Sequence, residues 1–106
     1  VLFEDDHVAR LCRSGALLAD AFGPGGARMI GARLHEIEAA ASLADLRLLP
    51  HLRLVEVPEI PCGVRIDVAK PLHLLLRQPP ARPGRPRITW HATGPVVLIE
   101  IRSSCE

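Results

Sequence analysis

HLRLVEVP (51–58), GVRIDVAKPLHLLLRQ (63–78) and ITWHATGPVVLIEIRSSCE (88–106) decide how this chain folds. In GVRIDVAK, Val64, Ile66 and Val68 alternate with Arg65, Asp67 and Lys70. That period of two predicts a half-buried strand. LHLLLRQ repeats it, with Leu72, Leu74 and Leu76 on one side and His73, Leu75 and Arg77 on the other. ITWHA and VVLIEIRS predict the last two strands, and the sheet is expected to begin near Leu52. Pro58 and Pro61 predict a kinked connection between its first two strands. PPARPGRP (79–86) is excluded from the sheet, because proline gives no ladder hydrogen bond. It predicts a loop carrying Arg82 and Arg85.

Ahead of these strands the period changes. VLFE predicts a short first strand. Asp5 or Asp6 suits a helix N-cap, where a carboxylate accepts orphan backbone N–H groups and meets the positive end of the dipole. Val8, Leu11, Cys12 and Leu18 fall near helical spacing and predict a first helix over 7–22. Gly23, Pro24, Gly25 and Gly26 break it. A second helix is expected to run to about Ala41, with Met29 or Ile30, Leu34, Ile37 and Ala41 as its apolar stripe. Ser42 and Asp45 suit the start of a further turn that Pro50 ends. The expected fold class is α+β: an N-terminal strand and a two-helix hairpin packed on a curled, mainly antiparallel sheet.

The 106 residues fit one domain, 1–106. With 48% hydrophobic residues the chain fits a globular protein. No apolar run approaches the roughly 20 residues of a membrane span. The start lacks a charged-then-apolar leader, and Cys12, Cys62 and Cys105 are odd in number and widely spaced. Both point to a reducing compartment, and the cytoplasm is the expected location.

The net charge is +1, so bulk electrostatics do not announce a nucleic-acid binder. The kind of cation says more. Twelve of the thirteen basic residues are arginine, whose planar fork fits phosphate or carboxylate. A GC-rich coding sequence would produce the same preference. The histidines and cysteines show no close pair of metal-ligand spacing, so neither metal nor cofactor is expected. A GxxxxGK[ST] phosphate loop is missing, and FGPGGA (22–27) fits a turn between helices better than an anion site.

A cationic constellation remains: Arg47, Arg53, Arg65, His73, Arg77 and Arg102. On one concave face, such arginines can stabilise charge at a scissile phosphate, and a histidine such as His73 or His91 can move a proton. The same residues equally suit cross-strand pairing with Asp67, Glu56 and Glu100 on a solvated face. Trp90 suits packing better than base stacking, and the chain has no tyrosine.

The order of segments resembles the RelE/ParE superfamily, in particular its HigB-like plasmid maintenance killer branch. AAASLADLRLLPHLRLVEV (39–57), GVRIDVAKPLHLLL (63–76), ITWHATGPVVLIEI (88–101) and the opening LFEDDHVARLC (2–12) carry it. The resemblance covers nearly the whole chain, and its most specific part is the A-x-S-L-x-D-L-R pattern around Arg47. It implies a toxin of a type II toxin–antitoxin system: a ribosome-dependent mRNA endoribonuclease neutralised by a cognate, helix-turn-helix antitoxin. On that reading His73, Arg77 and Arg102 are the catalytic candidates, and Arg47, Arg53 and Arg65 the RNA-binding ones. Leu48, Leu49 and Leu75 are expected to offer apolar surface to the antitoxin. The chain departs from the family in three places. PEIPCG (58–63) replaces a cationic loop, His73 stands where an arginine is usual, and RSSCE (102–106) replaces a closing aspartate-tyrosine-histidine motif. The alternative is a non-catalytic toxin-fold protein that binds an antitoxin or other partner and regulates. Gyrase poisoning, the activity of ParE-like relatives, ranks third.

Overall fold

The computed structural model describes residues 2–69, 71–79 and 87–103. Lys70, Arg82, Arg85 and Cys105 lie outside them, as does nearly all of the expected proline-arginine loop.

The chain opens with β1 (Leu2–Phe3). Asp5 then caps α1 (Asp6–Arg13), its Oδ1 accepting the Val8 N–H at 2.9 Å. Asp6 in the first turn and Arg10 and Arg13 in the last complement the helix dipole. The expected helix over 7–22 is not continuous. Ser14 closes α1 with extended φ/ψ and opens α2 (Gly15–Ala39), its Oγ accepting the Leu17 N–H at 3.2 Å. A serine hydroxyl competes with the helical ladder in this way, which is why serine favours caps over helix interiors.

Within α2 the expected break at the glycines reduces to one residue. Gly23 has φ 80 and ψ 162, a conformation that a Cβ disfavours. Pro24, with its preset φ and no N–H to lose, restarts the helix. The restarted part lies close on the sheet: a Cβ at Gly26 would come within 3.2 Å of Leu72 Cδ1. α3 (Leu43–Arg47) follows, with the Asp45 carboxylate accepting the Ala41 N–H at 3.0 Å. Pro50 opens a 3₁₀ turn (Pro50–Leu52), so the sheet resumes at β2 (Val55–Val57) and not at Leu52.

β3 (Gly63–Ala69), β4 (Leu72–Arg77) and β5 (Val97–Ser103) complete an open five-stranded sheet of order β1-β5-β4-β3-β2. Three of its pairings are antiparallel, and β1 lies parallel to β5. The architecture is therefore α+β, with three α-helices and a mixed sheet among the described residues. The alternation in β3 and β4 produces the expected core. Val64, Ile66, Leu74 and Leu76 are fully buried, together with Ile30 of α2, Leu43 and Leu46 of α3, and Leu98 of β5. Each such side chain contributes about 1.5–3 kcal/mol relative to exposure.

ITWHA is not a strand. The Gln78 amide takes the place of a ladder partner there. Its Nε2 donates to the Thr89 carbonyl at 2.8 Å, and its Oε1 accepts the Thr89 N–H at 2.7 Å. The next carbonyl, Trp90 O, accepts the Ala44 N–H at 2.8 Å. With these groups bonded to a side chain and a helix start, the segment forms loop and turn. No helix among the described residues is long and apolar enough to cross a membrane.

Candidate functional site

The side of the sheet that shares the core with the helices presents Val64, Ile66, Leu72, Leu74, Leu76 and Leu98. By alternation, the other side presents Arg65 and Asp67 from β3, His73, Leu75 and Arg77 from β4, and Val97, Glu100 and Arg102 from β5. The register arranges them in rows. Arg65 stands opposite Leu75, which stands opposite Glu100. Asp67 stands opposite His73, which stands opposite Arg102. A shift between Leu75 and Leu76 accommodates Ile99 as an extra residue of β5.

Four of the six candidate residues, Arg65, His73, Arg77 and Arg102, thus share one face. Leu75 lies among them and is only 1% exposed, so it is not apolar surface for a partner as expected. Leu49 is half-buried, and Leu48, at 77%, is the exposed one of the three.

The other two candidates lie off the sheet. Arg47 ends α3, and its guanidinium sits 4.2 Å above the Trp90 ring. It joins the Ala44–Trp90 backbone bond in tying the loop after residue 87 to α3. Arg53 follows the 3₁₀ turn in the left-handed region, at φ 47, and is exposed.

Carboxylates attend most of the cations on the face. Glu4 Oε2 lies 2.9 Å from Arg77 Nε. Glu100 Oε1 bonds the Arg102 guanidinium. Asp67 Oδ1 lies 3.7 Å from His73 Nδ1, close enough for electrostatics but too far for a hydrogen bond. Arg65 is exposed and makes no ion pair with another described residue. Glu56, expected among the pairing carboxylates, stands opposite Val64 in the register and so belongs to the other side of the sheet. Glu4 takes its place from a position 73 residues away from Arg77 in sequence.

A second polar cluster escaped sequence reasoning. Glu36 of α2 receives Arg33 at 2.5 Å on Oε1 and His51 at 2.6 Å on Oε2. Arg33 Nε also donates to the Asp67 carbonyl at 3.3 Å. The cluster joins α2, the 3₁₀ turn and β3. Burial alone would raise the Glu36 carboxyl, but the hydrogen bonds and charges of His51 and Arg33 together hold it below its ordinary value. The Arg33–Glu36 spacing of three residues was a readable signal, whereas His51 was not.

The two described thiols offer little reactivity. Burial pushes Cys12 up to about 11, and Cys62 is buried. Among the described residues no group of histidines, cysteines and carboxylates has the geometry to hold a metal ion. An open cleft of about 490 Å³ lies beside Glu56, Val57, Cys62, Gly63 and Arg87. The cleft lies at the β2–β3 connection, with Arg87 in its lining, and none of Arg65, His73, Arg77 or Arg102 lines it.

No protein-family model, curated protein or solved structure gives a significant match to the chain. The chemistry of the face therefore rests on its own residues. Three arginines and a histidine on one surface can bind phosphates and transfer a proton.

Proposed function

We propose that this chain is a RelE/ParE-like toxin of the HigB-like branch, acting in a type II toxin–antitoxin pair as a ribosome-dependent mRNA endoribonuclease of low activity. The observation that carries the reading is the gathering of Arg65, His73, Arg77 and Arg102 on the sheet face opposite the helices. The succession of a first strand, helices and an antiparallel β2–β5 array agrees with what the resemblance implies.

The chemistry follows from the residues. Arginines on this face neutralise the phosphate and stabilise the charge that builds on it during cleavage. His73 transfers the proton. Positioned proton transfer contributes typically about 10²–10⁴ in rate, and the family's closing aspartate-tyrosine-histidine motif has no counterpart in RSSCE. Low activity is the consequence. Antitoxin binding draws on exposed Leu48 and the arginine-bearing surface.

One observation favours a second reading, a non-catalytic toxin-fold regulator. Glu4, Asp67 and Glu100 attend three of the four site residues, as they would on a face built for stability or protein contact.

Induction of the isolated chain in cells, with growth and mRNA integrity followed, separates the two. Slow growth with ribosome-dependent cleavage, reduced by His73→Ala and by Arg77→Ala, supports the nuclease. A folded chain that leaves growth and mRNA untouched supports the regulator. Co-expression with the product of an adjacent small gene should yield a stable complex in either case.

A further inference from the structure

The carboxylates on the open face occupy the positions that a phosphate needs. Glu4 Oε2 sits at the Arg77 Nε, on the fork that binds phosphate or carboxylate alike. Glu100 does the same at Arg102. Among the described residues Arg65 makes no such pair. Both pairs are well exposed: the Arg77 and Glu4 side chains are 35% and 41% accessible, those of Arg102 and Glu100 55% and 43%. Exposed ion pairs are weak and exchange partners at low cost.

Resting on the proposed function, we infer that the site is self-masked: Glu4 and Glu100 hold the Arg77 and Arg102 guanidiniums, and RNA gains them only by displacing these carboxylates. The masks come from different places. Glu100 lies two residues from Arg102 on β5. Glu4 follows β1, and its N–H donates to the Leu98 carbonyl at 2.9 Å, so the N-terminal strand delivers the mask to Arg77. A masked site resists stray polyanions and admits a strand that brings several phosphates at once. Binding by the unaltered chain then depends chiefly on Arg65.

The test is fluorescence anisotropy with a short labelled single-stranded RNA over a range of salt, using the full chain and variants shown to be folded by circular dichroism. Glu4→Gln and Glu100→Gln should each tighten binding about 1.5–5-fold, the range expected from releasing an exposed pair. The double variant should gain on the order of tenfold at low salt, where charge effects are least screened. Its log K against log salt should steepen by about 0.7 for each phosphate newly engaged. In an Arg77→Ala background the gain from Glu4→Gln should largely vanish, because the released group is gone.

Equal gains from Glu4→Gln with and without Arg77 would overturn the mask, leaving only a general charge effect. RNA binding by the unaltered chain that Arg65→Ala abolishes, with no gain in the glutamine variants, would also overturn it while sparing the RNA-binding reading. Absence of binding by every variant, the double included, would overturn both.

Discussion

The two faces of the sheet are built on opposite principles. On the helix-covered face, Val64, Ile66, Leu74, Leu76 and Leu98 are buried completely and carry no polar group to satisfy. On the open face, Leu75 is just as buried, but charged side chains surround it in the ladder: Arg65 and Glu100 across the strands, His73 and Arg77 two places along its own. One face is held by transfer of apolar area from water, which is strong and is not weakened by ionic screening. The other is organised by exposed ion pairs, which are individually weak and easily exchanged. Stability belongs to the first face, and recognition can belong to the second without endangering the fold.

The largest effect that would test this division is a cavity on the covered face. Leu74→Ala should destabilise the chain by about 2–5 kcal/mol, read from urea unfolding, because the packed surroundings collapse only partly. A loss within the noise of a surface substitution would break the comparison at its stronger side.

A backbone effect should come next. Gly23→Ala places a Cβ at φ 80, ψ 162 and should cost on the order of 1–3 kcal/mol. Nothing lies within 4 Å of that Cβ, so the cost would come from the backbone alone. An unchanged melting temperature would mean that α2 is not turned at this residue.

A pH effect should be smaller. The folded Glu36 carboxyl lies below its ordinary value, so Glu36 adds stability above the unfolded carboxylate range. That contribution should disappear as pH falls through the acid range toward the folded value. Glu36→Gln should flatten the acid limb of a stability–pH profile and leave its neutral-to-alkaline limb in shape. An equally steep acid limb in the variant would show that His51 and Arg33 do not hold the carboxylate in solution.

The smallest effect is expected on the open face. Arg65→Ala should change stability by no more than about 0.5 kcal/mol, as is usual for exposed positions, since Arg65 makes no ion pair with another described residue. A loss comparable to that of Leu74→Ala would erase the distinction between the faces.

How much of this was readable in the sequence depended on how local the deciding interactions were. The period of two in 63–77 foretold β3, β4 and the residues they turn toward the helices, because alternation is a property of the strand itself. The turn of α2 at Gly23 was readable because a Gly-Pro pair serves that geometry within two residues. The break at Ser14 was hidden by apolar spacing that runs through it from Val8 to Leu18, although the serine is a good cap. ITWHA was misread as a strand because its partner is the Gln78 side chain, a contact that no local pattern announces.

The site divided along the same line. Strand periodicity placed Arg65 beside Asp67 and His73 beside Arg77 on their own strands, but only the register across β3, β4 and β5 shows that these residues and Arg102 share a face. Glu4 beside Arg77 was not readable, because 73 residues separate them. Nor was the burial of Leu75, since its side of the strand was expected to face water. Arg47 and Arg53 were grouped with the others by charge and by the family resemblance, and the structure sets them apart on a helix end and a turn.

An amide chemical-shift titration of the full chain with short single-stranded RNA tests directly whether the open face carries the recognition. The largest shifts should fall in β3, β4 and β5 around Arg65, His73, Arg77 and Arg102, while α1 and α2 stay still. Shifts concentrated on α1 and α2, or none at saturating RNA, would contradict that role.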